Sequence, residues 1–143
     1  ESGFVFYTSY NSRKGIQLSE NFFASFLFYW PEIKRQIRIE GKVEKIPGPV
    51  SDEYFRSRPR ESQISAIASP QSKEIPDYKY LQKLVLLERE KYSGKEITRP
   101  AGWGGYILVP DWFEFWTEGE FRLHNRISYS LEKGIWTIKR LAP

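Results

Sequence analysis

WGGYILVPDWFEFWTEGEFRLHNRISYSLEKGIWTIKR, residues 103–140, decides the fold. Aromatic and β-branched runs recur through it: GYILVP, FEFWTEG, RISYSLE and GIWTIKR. Turn-forming residues stand between them at Pro110-Asp111, Glu118-Gly119 and Lys133-Gly134. Short runs of strand formers separated by turn residues predict a meander of antiparallel strands. The front of the chain is similar. Residues 3–8 (GFVFYT) read as a strand that stops at the polar cluster Ser9-Tyr10-Asn11-Ser12, and Ser12 is placed to cap a short helix over 13–20. Residues 22–30 (FFASFLFYW) are almost wholly apolar, which predicts a strand buried on both faces at the centre of the sheet. Residues 35–46 alternate, with Ile37, Ile39, Val43 and Ile46 set against Arg38, Glu40, Lys42 and Lys45, and Gly41 falls where a bulge or bend is expected. Pro47-Gly48-Pro49 breaks the pattern. A helix is expected from Ser51, interrupted at Arg58-Pro59-Arg60 because proline disfavours helix in the residue before it. Further helices are expected over 61–69 and 78–92. Strands at both ends with helices between them make an α+β domain around an antiparallel sheet, expected to close as a barrel.

Composition limits the chemistry. The chain has 143 residues, no cysteine and one histidine, His124, so disulfides, thiolate sites and multi-histidine metal sites are excluded. Its 22 basic and 18 acidic residues give a net charge of +4, which suits an anionic ligand; nucleic-acid binding rests on nothing beyond this charge and scattered aromatics. No apolar run reaches the roughly 18 residues of a membrane span, and no secretory leader is read at the front. The expectation is a cytoplasmic protein without membrane or nucleic-acid partners. The chain starts at Glu1 and contains no Met, which predicts that a front portion is missing.

Three polar clusters can carry chemistry. Tyr7-Thr8 with Ser12-Arg13-Lys14 places hydroxyls and two cations at a strand end, suited to a phosphate; an exposed basic helix start explains it as well. Tyr54, Arg58 and Ser62 are spaced by four, so on one helix they share a face and converge on one anion. A capped helix junction at Pro59 is the alternative. Arg122, His124 and Arg126 alternate along a would-be strand and share a side. Three such groups together call for an anion or an electron-rich ring, unless the strand is a solvated edge. His124 is also the one side chain suited to proton transfer near neutral pH. Glu114 and Glu118 carry no role in this reading, and most of the aromatics are assigned to core, with one or two left to wall a planar cofactor.

The strings FYTSYNSRKG, LFYW, RQIRIEG, YFRSRPRESQI, Gln71-Ser72, WGGY, EFW, GEFRLHNR and the closing W-x-x-x-RLAP resemble the pyridoxamine 5'-phosphate oxidase family in order and spacing. The resemblance runs from about Gly3 to Pro143. It implies a split β-barrel flavoprotein over residues 1–143, counted as one domain, that works as a homodimer with FMN in clefts between subunits. It implies oxidation of pyridoxamine or pyridoxine 5'-phosphate to pyridoxal 5'-phosphate, with O2 reoxidising the flavin. By position in the motifs, Tyr7, Thr8, Arg13, Lys14, Gln36, Gln71, Ser72, Trp116 and Arg126 fall on FMN contacts. Tyr54, Arg58 and Ser62 fall on the residues holding the substrate phosphate, and Arg122 and His124 on the pair lying over the substrate. The chain departs from the usual pattern at Asn125, Thr117, Ser65 and Pro70, where members have Asp, Gln, Gly and a non-proline residue. It is also expected to lack the family's upstream strands, with an Arg and a Lys that contact FMN and substrate. These departures leave a second expectation, a non-catalytic split-barrel relative binding another planar ligand or a protein partner.

Overall fold

The computed structural model describes residues 3–143. Its strands are β1 (Phe4–Ser9), β2 (Phe23–Trp30), β3 (Arg35–Lys45), β4 (Trp103–Thr117), β5 (Asn125–Glu132) and β6 (Ile135–Leu141). Its α-helices are α1 (Arg13–Glu20), α2 (Gly48–Ser57), α3 (Arg60–Ala68) and α4 (Tyr78–Lys91). The strands follow the order β2-β3-β4-β5-β6, with β1 paired to β4. β2–β3, β4–β5 and β5–β6 are antiparallel, so the expected α+β architecture is present. No helix among the described residues is long and apolar enough to cross a membrane. The chain divides into two compact units.

One unit comprises Phe22–Glu44 and Leu108–Pro143, with Phe4. Ile39, Val43 and Leu108 are its most buried apolar side chains, and Phe4 packs against Phe26, Phe28 and Phe113 at ring separations of 6.2–6.3 Å. Lys133 and Gly134 form the two-residue turn between β5 and β6, both at positive φ (51° and 81°), which matches the twist of an antiparallel hairpin. Three expectations fail here. β2 is not central: it ends the strand order and pairs with β3, and Leu27 and Tyr29 are 60% and 55% exposed. An apolar run is compatible with burial on both faces, but only neighbouring elements can provide it. Pro110-Asp111 is no turn, because β4 runs straight through it. Gly41 is not a bulge, since its register with Ala24 continues unbroken on both sides. Its lack of a side chain serves a close approach instead: a Cβ there would lie 2.8 Å from Pro110 Cα and closer still to Val109 O.

The other unit comprises Val5–Asn21 and Lys45–Ile107. α1 starts as expected, with Ser12 Oγ accepting from the Gly15 N–H at 3.2 Å and lying 3.2 Å from Thr8 Oγ1. α2 begins at Gly48 rather than Ser51, because Pro49 in the first turn has no N–H to leave unsatisfied. Ser51 is instead buried within the helix and accepts from the Gly105 N–H at 3.1 Å. The break before Pro59 is as expected. Arg58 is extended (φ −72°, ψ 147°), and Gln63 Nε2 donates to the Arg58 carbonyl at 2.8 Å, holding the junction to α3. Asp77 caps α4 by accepting from the Tyr80 N–H at 2.7 Å. Phe55, Ile64, Ile97 and Trp103 form the buried core, with Tyr7, Val85 and Tyr92 packed against it.

Candidate active site

The predicted site residues fall into two groups, one in each unit. In the unit built on α1–α4, four of them, Tyr7, Thr8, Arg58 and Gln71, line a small cleft of about 310 Å³ together with Ser65 and Trp103, among others. Tyr54 stacks on Tyr7 with ring centroids 3.6 Å apart and planes 11° apart. Trp103 continues the stack at 5.6 Å from Tyr7. Burial, and then the neighbouring Tyr54 and Glu53, push the Tyr7 phenol above its ordinary value of 10.0, so it remains a proton donor. Arg58 lays its guanidinium over Trp103, 5.0 Å from the ring centre, and its Nη1 is buried without a hydrogen-bond partner. A buried guanidinium nitrogen left unsatisfied costs free energy that an incoming anion can recover. Tyr54, Arg58 and Ser62 do not share one helix face, because α2 stops at Ser57 and α3 starts at Arg60. Tyr54 and Arg58 remain close through Trp103, whose ring both accompany; Ser62 sits in the first turn of α3.

The phosphate-type cluster at the end of β1 is also ordered. Gln71 Oε1 accepts from the Ser9 N–H at 2.8 Å and from Thr8 Oγ1 at 3.3 Å, and Ser72 follows at φ +66°. Arg13 and Lys14 occupy the exposed first turn of α1, which has no acidic residue. Two cations at the positive end of a helix dipole, with no acidic residue in that turn, give a site that favours an anion.

In the sheet unit, Gln36 and Trp116 line a second cleft of about 390 Å³ with Trp30, Arg35 and Phe115. The segment carrying Arg122 and His124 is not a strand. Residues 120–122 form a short 3-10 turn, and Phe121 and Arg122 both have positive φ (53° and 64°). Alternation along a strand therefore cannot place Arg122, His124 and Arg126 on one side; β5 begins only at Asn125. His124 is held by other contacts. Its ring lies 4.8 Å from the Trp116 ring, and its Nδ1 accepts from the Gly119 N–H at 3.3 Å. Arg126 is not waiting for an anion: Glu114 already pairs with it, Oε1 to Nε at 2.6 Å and Oε2 to Nη2 at 3.1 Å. Asn125 Oδ1 accepts from Arg140.

Glu114 is the residue that sequence reasoning missed. It is 3% exposed, and Arg38 Nη2 also lies 3.2 Å from its Oε2. The available signal was a lone acid on the inward face of a β-run, flanked by Phe113 and Phe115, since a carboxylate is rarely buried without cationic partners. The Arg126 hydrogen bonds hold its carboxyl below the ordinary value of 4.5, against the opposing effect of burial. Its contribution to stability is therefore in place above that value and is lost as the pH falls through the lower, folded one. As the pH falls below 4.5, the wild-type chain should lose stability more steeply than Glu114→Gln in urea unfolding. Parallel acid limbs would show that the carboxylate does not titrate in this way.

Residues 1–87 match the family model for pyridoxamine 5'-phosphate oxidase, and residues 103–143 match the pyridoxine 5'-phosphate oxidase C-terminal dimerisation region. The pyridoxine/pyridoxamine 5'-phosphate oxidase of Legionella pneumophila (strain Paris) is 48% identical over 98% of this chain, which spans 65% of that protein. The enzyme of the same description from Leptospira interrogans (strain Fiocruz L1-130) is 47% identical over the whole chain and 67% of its own length. The crystal structure of PhzG from Burkholderia lata 383 with tetrahydrophenazine-1-carboxylic acid superposes with a TM-score of 0.90 at 32% identity, covering 99% of this chain and 69% of that one. A pyridoxamine 5'-phosphate oxidase-related, FMN binding protein from Nostoc punctiforme shares the fold at a TM-score of 0.71 and 16% identity, over 97% of this chain and 72% of its own. The chain belongs to the pyridoxamine 5'-phosphate oxidase family.

Proposed function

We propose that this chain serves an FMN-dependent oxidase that converts pyridoxamine or pyridoxine 5'-phosphate to pyridoxal 5'-phosphate with O2 as acceptor, in the vitamin B6 metabolism of the cytoplasm. Residues 1–143 would form one domain of it. The observation that carries the proposal is the buried, unpartnered Nη1 of Arg58 beside the Tyr7–Tyr54 stack, a cation held ready for a small anion next to an aromatic wall. In this reading Arg58, with Tyr54 and Ser62, holds the substrate phosphate, and Arg122 and His124 orient the substrate ring. The residues also fit FMN. Arg13 and Lys14, in an acid-free first helical turn, suit its phosphate, and Tyr7, Thr8, Gln36, Gln71, Ser72, Trp116 and Arg126 supply the remaining contacts. When bound there, FMN would supply the two-electron redox chemistry between the substrate and O2. The protein's part is orientation, charge and exclusion of water. The match of residues 103–143 to a dimerisation region supports a homodimer as the working form.

A second reading, a relative that binds a different planar ligand, is favoured by the close superposition on PhzG, which holds a tetrahydrophenazine carboxylic acid. Titrating the purified chain into FMN while following flavin fluorescence tests the cofactor claim. Saturable quenching is expected; unchanged flavin fluorescence would remove FMN from the proposal.

A further inference from the structure

We infer that Glu114 is a positioning residue for flavin binding, acting through Arg126. The inference rests on the proposal that Arg126 contacts FMN. In the register of β4 with β5, Glu114 faces Ser128 and Trp116 faces Arg126, so Glu114 and Arg126 are diagonal neighbours on one side of the sheet. The carboxylate grips the guanidinium by two bonds, at 2.6 and 3.1 Å, and the Ala142 carbonyl takes a third from Nη1 at 2.8 Å. A guanidinium has five N–H donors. Removing these three leaves two, one on each terminal nitrogen, and their direction is set by the grip on the other side. An arginine without that grip would sample many rotamers and lose this freedom only on binding.

Glu114 itself cannot serve as a ligand contact. Its side chain is 4% exposed, whereas that of Arg126 is 27% exposed. Any influence on a ligand must therefore pass through its partners. The second partner, Arg38, sits over the Trp112 ring at 4.8 Å and lies 3.3 Å from Glu40, so it has other restraints. Arg126 has only the Glu114 carboxylate and one backbone carbonyl among its described partners.

The test is a double-mutant cycle on FMN affinity, read by fluorescence quenching, with urea midpoints of each FMN-free protein alongside. Glu114→Gln and Arg126→Ala should each weaken FMN by about thirtyfold, the scale of one charge-assisted contact. In the Arg126→Ala background, Glu114→Gln should add less than about threefold. A purely structural carboxylate would instead cost the same factor with or without Arg126, and that result overturns the inference, as does full affinity in Glu114→Gln when Arg126→Ala is weak. If Arg126→Ala binds FMN like the wild type, Arg126 is no flavin contact and the inference falls with it. If the wild type itself takes up no FMN, the flavin proposal fails first. Should Glu114→Gln not fold, Glu114→Asp carries the test: the charge remains on a shorter arm, and about a fivefold weakening is expected only while Arg126 is present.

Discussion

Replacing Arg58 by alanine is expected to raise the KM for pyridoxine 5'-phosphate by about a hundredfold while changing kcat by much less. The guanidinium is held by the Trp103 and Phe55 rings, 5.0 and 5.9 Å from its centre, with Nη1 buried and unpartnered. An anion binding there gains a charge-assisted bond to a donor already removed from water, an effect of about 1.5–3 kcal/mol in all. A phosphate is remote from the bond being oxidised and is held alike in ground and transition states, so the loss should appear in KM. Arg58→Lys should recover only part of it, because an ammonium can neither stack on Trp103 nor offer a planar fork. Steady-state kinetics on the three proteins checks this. An unchanged KM in Arg58→Ala would place the substrate phosphate elsewhere.

The second large effect concerns the fold. Gly41→Ala should destabilise the protein by about 3 kcal/mol, a fall in Tm of about 10 °C for a chain of this size. The three atoms nearest the added methyl group would all be backbone, Val109 O, Val109 C and Pro110 Cα, and backbone cannot rotate away as a side chain can. β3 would have to move off β4, taking Gln36 and Arg38 with it. Gly48→Ala is the control. Its Cβ meets nothing nearer than Arg99 Nη2 at 3.8 Å, and it should lie within about 0.5 kcal/mol of the wild type. Thermal melts of both variants make the comparison, and equal stability would mean that β3 and β4 do not approach as closely as described.

Elements governed by local chemistry were legible from the residues alone. Ser12 and Asp77 cap the helices that follow them, Pro59 stops α2, and Lys133-Gly134 turns the last hairpin, because each depends on a few neighbouring backbone groups. Features set by distant neighbours were not. The apolar run of β2 could not reveal whether anything covers it. Pro110 looked like a turn because nothing nearby shows that Gly41 lies against Val109. The start of α2 was misplaced at Ser51 because its hydroxyl serves Gly105, more than fifty positions away in the sequence. The site divides in the same way. Motif positions indicated Tyr54, Arg58 and Gln71, and the geometry gives each a definite neighbour. Strand alternation failed for Arg122 and His124 because two successive residues at positive φ end any regular pattern. Glu114 escaped notice because its meaning depends on two arginines, one on β3 and one on β5.

The most direct measurement is product formation by the purified chain supplied with FMN, pyridoxine 5'-phosphate and O2. Pyridoxal 5'-phosphate and hydrogen peroxide should appear in a one-to-one ratio, with the rate at low substrate falling sharply in Arg58→Ala. A chain that binds FMN yet forms no aldehyde, or one whose aldehyde formation is indifferent to Arg58, would contradict the proposed oxidase.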